Sequence, residues 1–335
     1  MHKRVFLFFS FLLFTHCSVT ENIVPFEKTI VIMDTFVQVS IYDQDKSVEA
    51  LEKITKKTFN RIAQIDKITN IYNESSLISK VNREAAETEI EIDSVLFQLI
   101  EASVDISILS NGAYDITIKS VEQLWNFTPD EYRIPGHELV AEYLKWVNPN
   151  HIALNVASIK LASPFVKIDL GGIAKGYAID EAIRVLQENG ITDAMVNAGG
   201  DLRTICSDLT RGKRRVWIKH PRNRETLFGF FPMDDGCVAT SGDYERFFVV
   251  DSVRYHHILN PKTGYPANKC LSATVQAESA MKADALATAV FVLGPQDGIE
   301  FIERLPNVEG VILFEKHGKI SWVVSSGLKA SFSLN

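Results

Sequence analysis

The stretch KIDLGGIAKG, residues 167–176, constrains this chain more than any other. A β-branched, apolar run (HIALNVASIKLASPFVKIDL, 151–170) leads into it, and an amphipathic pattern (YAIDEAIRVLQENG, 177–190) leads out. Two glycines and a lysine therefore sit where an extended segment hands over to a helix, predicted over 172–189. Glycine lets the backbone approach a ligand closely. A helix N-terminus offers unbonded N–H groups and a partial positive charge, which suits phosphate. Lys175 adds a full charge near that end. Asp169 opposes it unless it bonds a ligand or caps the turn's own amides. The spacing is neither a Walker A loop nor GxGxxG, so the nucleotide-fold motifs do not apply.

The rest of the pattern mixes both periods. TIVIMDTFVQVSIYD (29–43) reads as a strand. Residues 45–69 place Val48, Leu51, Ile54, Phe59, Ile62 and Ile65 at helical spacing, and 94–112 form a second helix closed by Asn111-Gly112. The stretches 71–82 and 126–138 read as turn and loop, and 151–170 as two or three strands. Several short strands follow over 194–278, then helices at 279–294 and 296–304, and a hairpin over 310–326 turning at His317-Gly318. No repeat, low-complexity tract or linker interrupts this. With 46% hydrophobic and 23% charged residues, the chain is expected to form one compact, two-lobed α+β unit with mixed or antiparallel sheets.

The N-terminus is a separate object. MHKR carries positive charge, VFLFFSFLLF is apolar, and Thr15-His16-Cys17 follows. The run is too short for a permanent membrane span and reads as a signal peptide over 1–16. It ends on Cys17, as in bacterial lipoproteins, where a lipidated cysteine becomes the new N-terminus. His16 stands where a small residue is usual, so simple secretion and an uncleaved anchor are the alternatives. A lipidated tether over 17–28 and a folded domain over 29–335 complete the layout. The formal net charge of -7 argues against nucleic acid as a partner and requires any anionic ligand to be captured locally. Cys206, Cys237 and Cys270 are odd in number and lack metal spacing, which leaves isolated thiols or one disulfide of unspecified pairing.

Four further clusters carry chemistry. Asp284 and Thr288 are four apart in an alanine-rich helix, so they share a face. An aspartate there is costly to bury without a partner, and a hard cation taking its carboxylate and the hydroxyl would supply one; the bland alternative is a solvated face. Thr240-Ser241-Gly242-Asp243-Tyr244 puts hydroxyls at a turn. His256-His257 precedes Asn260-Pro261-Lys262-Thr263-Gly264, and in a strand only one of two adjacent histidines faces a given site. Gly112-Ala113-Tyr114-Asp115 follows a helix directly.

In combination these blocks resemble the FAD:protein FMN transferase family, also called the ApbE family. The matching elements, in family order, are Met33-Asp34-Thr35, Gly112-Ala113-Tyr114-Asp115, DLGGIAKGYAID (169–180), VNAGGD (196–201), ATSGDYER (239–246), HHILNPKTG (256–264) and ADALATAVFVLG (283–294). The resemblance implies an α+β fold of the family's own, related to tandem T-fold-like halves. It implies Mg²⁺-dependent transfer of the FMN half of FAD to a threonine of a target protein, as a phosphoester, with release of AMP. Some members mainly hydrolyse FAD to FMN and AMP. It further implies a lipid-anchored protein on the periplasmic face of the inner membrane, acting on a membrane redox subunit.

By the same resemblance the Gly172 carbonyl, the Asp284 carboxylate and the Thr288 hydroxyl hold the metal. Lys175 and Asp169 contact FAD, while Met33, Tyr72, Ala113, Tyr114, Asp115, Ser241 and His257 line the flavin nucleotide pocket. His257 is the catalytic candidate, Asp284 the alternative base, and His256 the less constrained neighbour. Three positions depart from the family pattern: Asp34 replaces a usual glycine, Gly172 a common alanine, and Asn260 a commoner aspartate. Two rival readings remain. One is a flavin-binding lipoprotein without transfer activity. The other is a penicillin-recognising enzyme, suggested by Lys262-Thr263-Gly264 and Ser279-Ala280-Met281-Lys282, although these motifs stand in the reverse of that family's order.

Overall fold

The computed structural model describes residues 24–335 apart from 44, 129, 130, 209 and 224. The signal peptide over 1–16 and Cys17 lie outside the described residues. The strand predicted over 29–43 is a hairpin: β1 (Phe26–Ile32) and β2 (Thr35–Ile41) pair antiparallel from Phe26↔Ile41 to Ile32↔Thr35. Met33 and Asp34 turn between them with φ of 54° and 56°. Two successive positive φ angles give the tight turn whose twist suits a hairpin. Aspartate tolerates that region better than most residues, which is how Asp34 stands in for glycine. Phe26, Glu27 and Lys28 belong to β1, so the folded part begins inside the stretch expected to be tether.

Helix α1 (Val48–Thr69) starts where the Ser47 hydroxyl accepts from Ala50 N at 3.3 Å, and it buries Leu51, Ile54, Ile62 and Ile65. α2 (Leu77–Glu84) occupies the stretch read as a turn; its signal is Ser76, which accepts from Ser79 N at 3.1 Å. Next come β3 (Ile90–Glu91), α3 (Ser94–Leu109), α4 (Lys119–Glu122) and α5 (His137–Leu144), then β4 (Ile152–Asn155) and β5 (Ser158–Leu161). β3, β5 and β4 form a small sheet in that order. α6 (Ala174–Glu188) follows the glycine pair.

The second half supplies β6 (Ala194–Ala198), β7 (Asp201–Ile205), β8 (Arg215–Lys219), β9 (Leu227–Pro232) and β10 (Gly236–Gly242). β11 (Phe247–Val250), β12 (Val253–His256), β13 (Ser272–Ala277), α7 (Ala280–Leu293) and α8 (Pro295–Glu303) come next. β14 (Glu309–Lys316), β15 (Lys319–Val324) and β16 (Ser333–Leu334) end the chain, with the β14–β15 turn at His317-Gly318 as predicted.

Among the described residues, eight strands make one antiparallel sheet in the order β1-β2-β6-β7-β10-β13-β14-β15. Alternation splits each strand between two cores. Ala239 and Ile312 face the helices α1, α6, α7 and α8, whereas Val238, Val311 and Leu313 face a second layer made of β16, β9 and β8. Because both faces of β14 are covered, GVILF reads as a continuous apolar run. Cys206, Cys237 and Cys270 are free thiols. Burial pushes Cys237 and Cys270 up to about 12, so neither is a thiolate at neutral pH.

Candidate active site

α6 and α7 meet at their N-terminal ends, and glycine makes the meeting possible. A Cβ on Gly176 would lie 2.1 Å from the Ala280 carbonyl oxygen. Asp180, one turn along α6, accepts from Ala280 N at 3.0 Å and Met281 N at 2.9 Å, and so caps α7. α7 is apolar nearly all round, as a helix buried on every side must be. Asp284 enters that helix only 5% exposed, and its Oδ2 accepts from Gly176 N at 3.1 Å. The solvated-face alternative is thereby excluded. Thr288, one turn on, places Oγ1 3.1 Å from Ser241 Oγ of β10 and 3.4 Å from where a Cβ on Gly172 would sit.

These groups open onto a cleft of about 530 Å³, and every site residue predicted from 33 to 288 borders it. Met33 stands at the β1–β2 turn. Tyr72 lies on the rim, 67% exposed. Ala113 and Tyr114 form a buried wall. Asp115 borders the cleft, but its Oδ1 accepts from Thr117 N at 2.8 Å and Thr117 Oγ1 at 2.6 Å, which ties it to its own turn. Asp169 accepts from Gly171 N at 2.8 Å; it closes the glycine turn and does not cap α6.

The two histidines divide their labour, and His256 is not the less constrained one. It is buried, with Nε2 2.7 Å from the Ala267 carbonyl and Nδ1 accepting from Ile258 N at 3.3 Å, and its ring meets Phe291 edge-on. It holds the 258–267 segment in place. His257 faces the cleft. Its Nδ1 lies 3.3 Å from the Arg246 carbonyl, which can only accept; the proton is therefore assigned to Nδ1 and the lone pair to Nε2. Burial first, then the Arg246 charge, depress this imidazole to about 3, so it is neutral and becomes an effective base only when negative charge beside it raises its proton affinity.

Several cleft residues carry roles that sequence reading left unassigned. Asp201 Oδ2 pairs with Lys175 Nζ, while Asp201 Oδ1 accepts from Thr240 N at 3.0 Å. The block VNAGGD contained the signal: Gly199 and Gly200, with φ of 66° and 110°, turn the chain so that an acid opens β7 inside the cleft. Arg246 and Glu122 line the same space. Lys119 pairs with Glu122 at 3.3 Å and approaches Asp169 at 3.9 Å.

The electrostatics show where charge is under-compensated. Lys175 Nζ is 4.0 Å from Asp284 Oδ1. Burial opposes the Lys175 charge, but Asp201 and Asp284 outweigh it and hold the ammonium above its ordinary range. Burial also pushes Asp284 up to about 7; Lys175 pulls it down while Asp201 adds to the rise. One lysine thus serves two acids, and Asp284 is left under-compensated. The Tyr114 hydroxyl is buried 3.9 Å from the same Gly172 Cβ position. Among the described residues no three His, Cys, Asp or Glu side chains are grouped for a metal ion. A carboxylate, a hydroxyl and a backbone carbonyl are instead a hard oxygen set, and that set suits Mg²⁺, which takes few protein ligands and keeps room for phosphate.

The profile of the ApbE family matches residues 33–312, which include every one of these groups. The chain belongs to the ApbE family. It is 27% identical over 318 residues to the FAD:protein FMN transferase of Treponema pallidum, covering 89% of this chain and 87% of that one. It is 30% identical over 277 residues to the enzyme of that name from Haemophilus influenzae, covering 78% and 79%. The ApbE protein of Thermotoga maritima superposes with a TM-score of 0.83 at 33% identity, covering 92% of this chain and 99% of that chain. The antiparallel α+β architecture is accordingly the ApbE fold.

Proposed function

We propose that this protein transfers FMN from FAD to a threonine hydroxyl of a target protein and releases AMP. The observation that carries the reading is the convergence on one cleft of Asp284, Thr288 and Gly172 with the Lys175–Asp201 pair and the neutral His257. The matched transferase names support it. Lys175 and the start of α6 attract the pyrophosphate, which the chain's net charge of -7 would otherwise repel. Asp201 fixes the lysine through its bond to β10. Asp284, Thr288 and the Gly172 carbonyl are the groups that would hold Mg²⁺, which when bound neutralises phosphate charge and polarises the phosphoanhydride.

The threonine oxygen attacks the FMN-side phosphorus; the bond to the AMP phosphate breaks, and AMP leaves with that electron pair. The hydroxyl proton passes to Nε2 of His257, whose Nδ1–H stays on the Arg246 carbonyl. Negative phosphate beside the ring raises its affinity for that proton. Tyr72 on the rim and Met33 offer faces for the flavin ring. If water takes the place of the threonine, the same geometry yields FMN and AMP.

Export and lipid anchoring at Cys17, toward a membrane redox subunit, complete the proposal and rest on the N-terminal sequence alone. Incubating the protein with FAD, Mg²⁺ and a flavin-free acceptor domain tests the reaction. The expected result is a mass increase of one FMN on an acceptor threonine, with AMP released in proportion. AMP without labelled acceptor makes the protein a hydrolase, and neither product ends the proposal.

A further inference from the structure

The cleft accounts for a dinucleotide but not for the delivery of a protein hydroxyl. β11 and β12 fill that gap. The strand pair begins immediately after Arg246 and ends immediately before His257, so both of its ends are cleft walls. Among the described residues the two strands pair only with each other, outside the eight-stranded sheet. The hairpin is braced on both faces: Phe248 stacks on Tyr255 at 5.3 Å and on Tyr132 at 4.6 Å, and on the other face Arg254 lies 3.7 Å over the Phe247 ring and reaches Asp243 at 3.9 Å. Open sheet edges in native proteins are usually blunted by charge, proline or a covering element. Here β11 reads FFVV, and Val249 and Val253 are 54% and 51% exposed.

The register shows which backbone groups are open. His257 N donates to the Arg246 carbonyl at 3.1 Å, which makes 246 and 257 a hydrogen-bonded pair. Bonded and non-bonded pairs alternate in an antiparallel ladder, so 248 and 255 are bonded, and the N–H and C=O of Val249 point away from β12.

We propose that the acceptor protein docks on this hairpin, laying an extended segment along the β11 edge so that its hydroxyl enters over Arg246 and reaches His257. The inference rests on the transferase reading and deepens it by naming the partner's binding surface. Strand addition gives affinity through main-chain hydrogen bonds, with little demand on side-chain identity. It holds the segment at the mouth of the cleft without displacing the dinucleotide. An extended segment also lets a folded partner present one hydroxyl while its body stays outside. The occupant is a protein strand and not a small molecule, because what the surface offers is a strand edge that, among the described residues, pairs with no other strand.

Val249→Pro removes the outward N–H, Val249→Lys blunts the edge by charge, and Val249→Thr keeps the N–H and the β-branched shape. The probe is the flavin-free form of a redox-subunit domain known to carry FMN on threonine. Its labelling is followed as a function of its concentration, beside AMP release from FAD in its absence. Val249→Pro should need roughly tenfold more acceptor, the loss of one or two main-chain hydrogen bonds, and Val249→Lys a smaller increase from its charge at the edge. AMP release without acceptor should be unchanged, and Val249→Thr should match wild type. A wild-type acceptor requirement in Val249→Pro overturns the docking site. Failure of the wild-type protein itself to label the domain overturns the transferase reading instead.

Discussion

On one face of the eight-stranded sheet, α7 carries a buried aspartate, and one lysine serves two acids. On the other face, Val216, Ile218, Phe231, Val311 and Leu313 form an apolar core between two sheets. The two faces share the same strands, so neither composition nor propensity separates them. The difference lies in what each leaves unsatisfied. The small-sheet core is built from apolar side chains, with no ionisable group among them. The helical face keeps a carboxyl at about 7 and an imidazole at about 3, both displaced chiefly by burial, and so keeps an affinity for something outside the chain.

The comparison breaks most sharply at Asp284. Asp284→Ala removes the carboxylate of the proposed Mg²⁺ site and should lower Mg²⁺-dependent AMP release by about 10³-fold or more, beyond the loss usual for a single electrostatic donor. The folded state should survive, because the change removes a poorly compensated charge from an alanine-rich helix. Steady-state assays across a magnesium titration decide this, and undiminished turnover would remove Asp284 from the site. Phe231→Ala should act in the opposite way. Its ring is fully buried between the sheets, so truncation should cost about 3–5 kcal/mol of stability. Turnover per folded molecule should stay at the wild-type value. A urea titration and an assay of the same sample would show whether the two faces are as separable as their chemistry suggests.

Much of this was legible in the sequence, for identifiable reasons. The Asp284–Thr288 pair could be read because a helix puts positions four apart on one face; strand alternation allowed only one of the two histidines at the site, and the family resemblance chose His257. Where sequence failed, the cause was tertiary. The β1–β2 turn was invisible because Met33 and Asp34 adopt positive φ without being glycines. α2 was hidden in a polar stretch whose start is marked by the Ser76 cap. His256 looked expendable, because nothing local shows that the 258–267 segment folds back onto its ring. Asp201 stood inside a recognised block without a role, since its partners Lys175 and Thr240 lie far away in the chain.

The smallest expected effect sharpens the comparison through pH. The two displaced groups on the helical face act on stability with opposite signs. Asp284 binds its proton more tightly folded than unfolded, so its contribution is present below the ordinary carboxylate range and lost as pH rises toward about 7. His257 binds its proton less tightly folded, so its contribution is present above about 6.5, the ordinary histidine value, and lost as pH falls toward about 3. His257→Gln keeps a hydrogen-bonding side chain and removes only the titration. The rate of AMP release should fall by about 10²-fold, the usual worth of a positioned base. Between pH 7 and pH 5 the wild type should lose about 1 kcal/mol relative to the variant, after allowance for the ring's partial access to water. The small-sheet face has no such group in its core, and Phe231→Ala should shift stability equally at both pH values. Urea midpoints at the two pH values measure all three proteins. A constant gap between wild type and His257→Gln would mean that the imidazole binds its proton equally well folded and unfolded, and that burial at the cleft does not hold it neutral.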